Sequence, residues 1–239
     1  MAFGSENRWT TTQSFASQAE MDMGLRRYML RVYNYMGGAL ALTGIVAYFA
    51  ASSGFYASIA NTPLVWVVML APVGLALLLG FGIQKMSLGT AQAAFWAYAG
   101  LMGLSLAGIF MIYTGTSIAR VFFITAGTFG AMSLYGYTTN RDLSGMGSFL
   151  MMGLIGVMIA GLVNMFLQSA MMQFVISVVG VLVFVGLTAY DTQRIKEMYW
   201  EGDGDVIAGK KAVMGALQLY LDFVNLFVML LQLFGQRRD

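Results

Sequence analysis

Among the residues able to do chemistry, Asp222 is the most unusual by position. It lies about ten residues from either end of the apolar run 212–234, too deep to reach an aqueous boundary. An ionisable group at the centre of a spanning helix costs roughly 2.5–3.5 kcal/mol on insertion scales and is usually functional. Gln218, Asp222, Asn225 and Gln232 recur at i, i+4, i+7 and i+14, which puts them on one helical face. The other faces carry Leu, Phe, Val and Met. A polar stripe of this kind must look into a bundle or a wet cavity, so the helix that bears it is expected to be central.

A second acid, Asp191, closes the preceding apolar run in GLTAYDTQRIKEMY. Alone it reads equally well as the first residue of a charged interfacial loop. With helix breaks near Tyr199 and Gly209, Asp191 would stand ~12 Å and Asp222 ~20 Å above the turn, at ~1.5 Å per residue. Contact between them is then allowed by tilt or kinking but not required. Two carboxyls that met in a low dielectric could not both ionise cheaply. They would hold one proton between them and titrate as a unit, sensing pH without histidine. Lys85 ends the second apolar run at a depth from which it could latch Asp191, and it reads also as a plain interfacial anchor. The oxygens of Asp191, Gln218, Asp222 and Asn225 suit weak, passing contact with calcium, centred on Asp191 and Asp222. Calcium is a hard ion that takes six to eight oxygens when held tightly. No resident cofactor is called for.

Composition limits the alternatives. The chain has neither Cys nor His, which excludes thiolate and imidazole metal sites, Cys nucleophiles, Ser-His pairs and disulfides. A net charge of +2 gives no basis for a nucleic-acid partner. Only 10% of the 239 residues are charged and 59% are hydrophobic, against about 25% charged in ordinary soluble domains. Such a chain cannot build a water-facing surface, so its main partner is the lipid bilayer.

The elements that must position these residues follow from hydropathy. Seven runs approach the roughly 20 apolar residues that a spanning helix needs: 32–52, 64–83, 90–113, 118–137, 148–167, 171–190 and 212–234. They do not alternate with a period of two, which excludes an outer-membrane barrel. The expected fold is an all-α integral membrane protein, a seven-transmembrane-helix bundle with a central seventh helix. Residues 1–28 read as a polar N-terminal tail, 29–235 as the membrane domain and 236–239 as a short C-terminal tail. Connectors are short, so consecutive helices should be antiparallel neighbours.

Placing the N-terminus in the cytoplasm puts ten basic residues there (Arg8, Arg26, Arg27, Arg31, Lys85, Arg141, Arg194, Lys196, Lys210 and Lys211). Only Arg120, Arg237 and Arg238 then fall on the other side. That bias predicts an N-in topology in a bacterial cytoplasmic (inner) membrane. The closing GQRRD argues mildly for a re-entrant last segment. Glycines within the spans, such as Gly100, Gly103, Gly108, Gly153, Gly156 and Gly161, read as packing seams, and the 20 methionines as adaptable packing. Two apparent motifs fail on their spacing. Asp203-Gly204-Asp205 opens like a calcium loop, but Ala208 and Met214 occupy its glycine and glutamate positions. Gly80-Phe81-Gly82 follows no strand and lacks the remaining glycine of a phosphate cradle.

The stretches AYDTQRIK (Ala189–Lys196) and LYLDFVNLF (Leu219–Phe227) resemble the two signature regions of the transmembrane Bax inhibitor motif family, its bacterial branch above all. The resemblance covers residues 26–235. It implies seven helices with the last enclosed by the other six, and a pH-sensitive calcium leak channel in which Asp191 and Asp222 hydrogen-bond as the proton sensor. It also implies an arginine on the second helix that latches Asp191. This chain has Gln84-Lys85 there instead, and lysine lacks the bidentate fork that grips a carboxylate. Protonation of the pair would release it from Lys85 and shift a closed–open equilibrium, with acid favouring opening.

Bacterial relatives also resemble modulators of a membrane-anchored AAA protease. The alternative role is therefore a non-conducting modulator or stress and cell-death suppressor acting through the tail around Phe15 to Met23. Neither role is enzymatic. An intramembrane aspartyl protease would place its second aspartate after Gly-x-Gly, whereas Leu219-Tyr220-Leu221 precedes Asp222. A retinal protein would need a lysine in the seventh helix, and the run 212–234 has none.

Overall fold

The computed structural model describes residues 6–238, with side chains from residue 21 onward. Among the described residues, seven helices are long and apolar enough to cross a membrane. They are α1 (Glu6–Ser52), α2 (Leu64–Gly82), α3 (Leu88–Leu106), α4 (Gly115–Thr138), α5 (Ser144–Leu167), α6 (Ala170–Glu197) and α7 (Asp205–Phe234). The helix of the first span already begins at Glu6, inside the segment read as a tail. The side chains of Arg8 and Phe15 lie outside the described residues.

Local chemistry fixes the helix ends. Ser87 caps α3 by accepting from Thr90 N at 3.1 Å, and Ser169 caps α6 by accepting from Met172 N at 3.3 Å. Asn164 shapes the tight α5–α6 turn: its Oδ1 accepts from Ser169 N at 3.0 Å, while Gln168 adopts φ 49°. In the α4–α5 connector Asp142 accepts from Ser144 N at 2.8 Å, and the Ser144 hydrogen bonds hold its carboxyl below the usual range. On the opposite face, the residues after α7 pair with the α3–α4 connector through Thr114 N to Gln236 O (3.0 Å) and Arg238 N to Ile112 O (2.8 Å). α7 is one unbroken helix of 30 residues, so it is not re-entrant.

α7 occupies the centre. In its most apolar stretch 61% of residues are buried, against 11–33% in the other spans. It packs on α6, α1, α4 and α3 and touches α2, whereas α5 joins the bundle by packing on α6. The enclosure is therefore by five helices, with α5 as an outer layer.

Because lipid supplies no hydrophobic force between helices, close backbone approach and buried hydrogen bonds hold the bundle. Thr43 Oγ1 donates to Ala99 O (2.8 Å) and pairs with Tyr220 Oη (2.7 Å), tying α1, α3 and α7 together. Tyr220 meets Tyr98 edge to face at 5.4 Å. Of the glycines expected in seams, Gly103 lies against the Thr43 carbonyl and Val46, Gly108 against Tyr56, and Gly153 against Val183. A Cβ at Gly100, Gly156 or Gly161 would meet nothing within 4 Å.

Candidate functional site

The register of the α6–α7 hairpin decides whether its two acids meet. Residues 198–204 fold back beside the first turns of α7, where Lys211 Nζ donates to Met198 O (2.9 Å) and pairs with Asp203. With Lys211 level with Met198, Asp191 lies seven residues from that rung and Asp222 eleven. The difference is about 6 Å, or roughly one helical turn. In antiparallel helices the tilt of the Cα–Cβ bonds closes this gap. Side chains lean toward their own N-terminus, so Asp222 leans toward the hairpin turn and Asp191 away from it. The two carboxyls lie within hydrogen-bonding reach of each other, with the Gln218 side chain beside Asp191. Both acids are sealed, at 5% and 4% exposure. Asp222 Oδ2 has no hydrogen-bond donor among the described residues.

Gln232, at the far end of the stripe on α7, also faces α6. Gln232 Oε1 accepts from Gln173 Nε2 (2.7 Å) and Ser177 Oγ (2.8 Å), and Asn164 Nδ2 of α5 donates to Gln173 Oε1 (3.0 Å). An interrupted polar seam therefore marks the α6–α7 interface at two levels, Gln218 with the acids and Gln232 with Gln173 and Ser177, and Met229 packs on Gly180 between them. Asn225 is half-buried on that line, and its amide donates back to Leu221 O at 2.8 Å.

Lys85 does not join the acids. It sits exposed on the turn Ile83–Lys85 that ends α2, and the one ion pair among the described residues is Lys211–Asp203. Depth along a helix is legible in sequence; azimuth and neighbours are not. α2 packs mainly on α3, at the rim of the bundle, which keeps Lys85 from α6. The positive charge that acts on Asp191 is Arg194, one turn along the same helix. Its i+3 spacing from Asp191 was the available signal, hidden by its reading as a loop charge.

Three further residues of the AYDTQRIK stretch have structural work beside the acids. Gln193 accepts from Leu143 N and donates to Arg141 O, both at 2.8 Å. Lys196 Nζ donates to the Tyr137 carbonyl at the end of α4 (2.9 Å), where helix polarity favours a cation. Thr192, next to Asp191, pairs with Ser133 (3.0 Å), which pairs in turn with Tyr33 of α1 (2.7 Å). The 203–205 loop brings together no metal-binding group: Asp203 is taken by Lys211, and no cluster of three His, Cys, Asp or Glu occurs among the described residues.

Comparison with known proteins places the chain in a family. The family described as inhibitor of apoptosis-promoting Bax1 matches residues 25–239. The chain is 51% identical over 230 residues to protein RP147 of Rickettsia prowazekii, covering 96% of this chain and 98% of that one. It is 48% identical over 219 residues to the inner membrane protein YbhL of Escherichia coli, covering 90% and 94%. It is 35% identical over 220 residues to a membrane protein of Streptococcus pyogenes, covering 91% and 96%. An all-α bundle with seven apolar helices, matched by one family model over nearly its whole length, is a member of the Bax inhibitor family.

Proposed function

We propose that the chain is a pH-sensitive cation leak of a bacterial inner membrane, permeable to calcium and gated by the Asp191–Asp222 pair. The observation that carries this reading is the meeting of two sealed carboxyls on α6 and α7 with no lysine or arginine among the described residues bonded to either. A buried carboxylate oxygen without a donor is costly, and Asp222 Oδ2 is such an oxygen unless it carries a proton. One shared proton, donated from Asp222 to Asp191, satisfies the pair with a net charge of −1. A second proton removes that charge, and the electrostatic hold of the seam on Arg194 goes with it. The α6–α7 contact then loosens and the polar seam admits water and cations. Gln218, Asn225 and Gln232 supply weak oxygen contacts along it, too few to store calcium. The Lys/Arg bias supports an N-in orientation, and the name of the Escherichia coli relative supports an inner-membrane location.

Two charge substitutions test this through calcium flux into proteoliposomes. Arg194→Gln removes the cation nearest the pair, so the second proton binds more readily and the flux midpoint moves to higher pH. Lys85→Gln, at the rim, leaves the midpoint within a few tenths of a pH unit. A midpoint that follows Lys85 and ignores Arg194 would contradict the assignment.

A further inference from the structure

α1 and α4 pack little on each other, although both pack on α7. Between them lies a cleft of about 660 Å³, within the range of ligand pockets. Its walls come from one face of each helix. Arg26, Met29, Leu30, Tyr33, Met36 and Gly37 supply the α1 side, and residues from Phe129 to Tyr137 supply the α4 side. From Arg26 to Gly37 the cleft is about 16 Å long. The apolar half-thickness of a bilayer is about 15 Å.

The cleft is amphipathic end to end. Its deep part is apolar, apart from the Tyr33–Ser133 hydroxyl pair on its wall. Its mouth is basic: Arg26 is exposed there without a carboxylate partner among the described residues, and Lys196 lies over the Tyr137 ring at 5.2 Å. Within the cleft, Gly37 and Gly130 face each other's helices without side chains, and a Cβ at either would meet nothing within 4 Å. These two glycines leave the space between the walls unfilled.

We infer that this cleft is a binding site for an anionic phospholipid of the adjoining leaflet, with one acyl chain between α1 and α4 and the phosphate on Arg26. Charge complementarity at the mouth, leaflet-matched length and apolar walls identify that occupant. Basic pockets between spanning helices bind anionic headgroups in this way. The site is independent of conduction, and its test reads binding alone.

The experiment is native mass spectrometry of the full chain in mild detergent, titrated with phosphatidylglycerol or with phosphatidylcholine of the same acyl chains. The parent is expected to retain one phosphatidylglycerol with about fivefold preference, the factor that one basic residue near a headgroup supplies. Arg26→Gln should abolish the preference while keeping weak binding of both lipids. Gly130→Leu and Gly37→Leu fill the cleft from opposite walls and should each remove retention of both lipids, with the thermal midpoint of unfolding near that of the parent. Two filling variants keep the result decisive if one misfolds. Equal retention of the two lipids by the parent, or undiminished retention in a folded filling variant, would overturn the assignment.

Discussion

Substituting leucine for Gly136 is expected to prevent recovery of a folded bundle. Gly136 of α4 lies directly on the backbone of α6: an added Cβ would fall inside van der Waals contact of the Ala189 carbonyl oxygen. Flexible side chains can move aside, but this obstacle is main chain in the middle of a helix, two residues from Asp191. On its other faces α6 is fixed by Gln193 bonded to the α4–α5 connector and by its long contact with α7. Overpacking a well-packed interior typically costs about 1–3 kcal/mol, and a leucine against fixed backbone belongs at or beyond the upper end. Gly136→Ala should lower the thermal midpoint by several degrees. Gly136→Leu should give mostly aggregated protein by size-exclusion chromatography. Gly127→Leu on the same helix, where a Cβ meets nothing within 4 Å, should behave like the parent. A monodisperse Gly136→Leu protein with unchanged melting would show that α4 and α6 do not touch there.

The second large effect is functional. Asp222→Asn keeps the size of the side chain and supplies an amide that can donate to Asp191, so it resembles a permanently protonated Asp222. That is the singly protonated, closed pair, so the variant should stay closed at pH 8 and open in acid only as Asp191 takes its proton. Asp191→Asn should do the same from the other side of the pair, with Asp222 as the remaining acid. The double variant carries no charge at the pair and should leak at pH 8 at the rate the parent reaches only near pH 5, far beyond the sum of the single variants, a non-additivity expected of residues in contact. Additive effects would place the two acids in separate roles.

The spans and the central polar helix were legible in the sequence because lipid imposes two strong signals. These are apolar runs of spanning length and a polar stripe confined to one face. Asp222 therefore announced its burial through Leu, Phe and Val on its other faces. Its meeting with Asp191 was not legible, because it depends on how far α7 slides past α6. That register is set by Lys211 reaching Met198 O and Asp203, inside a loop whose fold-back leaves no periodic trace. Lys85 illustrates the complementary limit. Its depth pointed to Asp191, but the packing of α2 on α3 carries it to the rim. The outer position of α5 was equally hidden, since its apolar composition suits lipid and protein neighbours alike.

The most direct measurement is calcium flux into proteoliposomes of the parent chain between pH 5 and pH 8, side by side with the double variant Asp191→Asn, Asp222→Asn. The parent should show a leak that rises as pH falls, and the double variant a leak that no longer depends on pH. No leak at any pH from monodisperse protein, or an unchanged pH profile in the double variant, would contradict the gating pair. The buried pair would then be a structural element, and the role of the chain would lie in its contacts with other proteins.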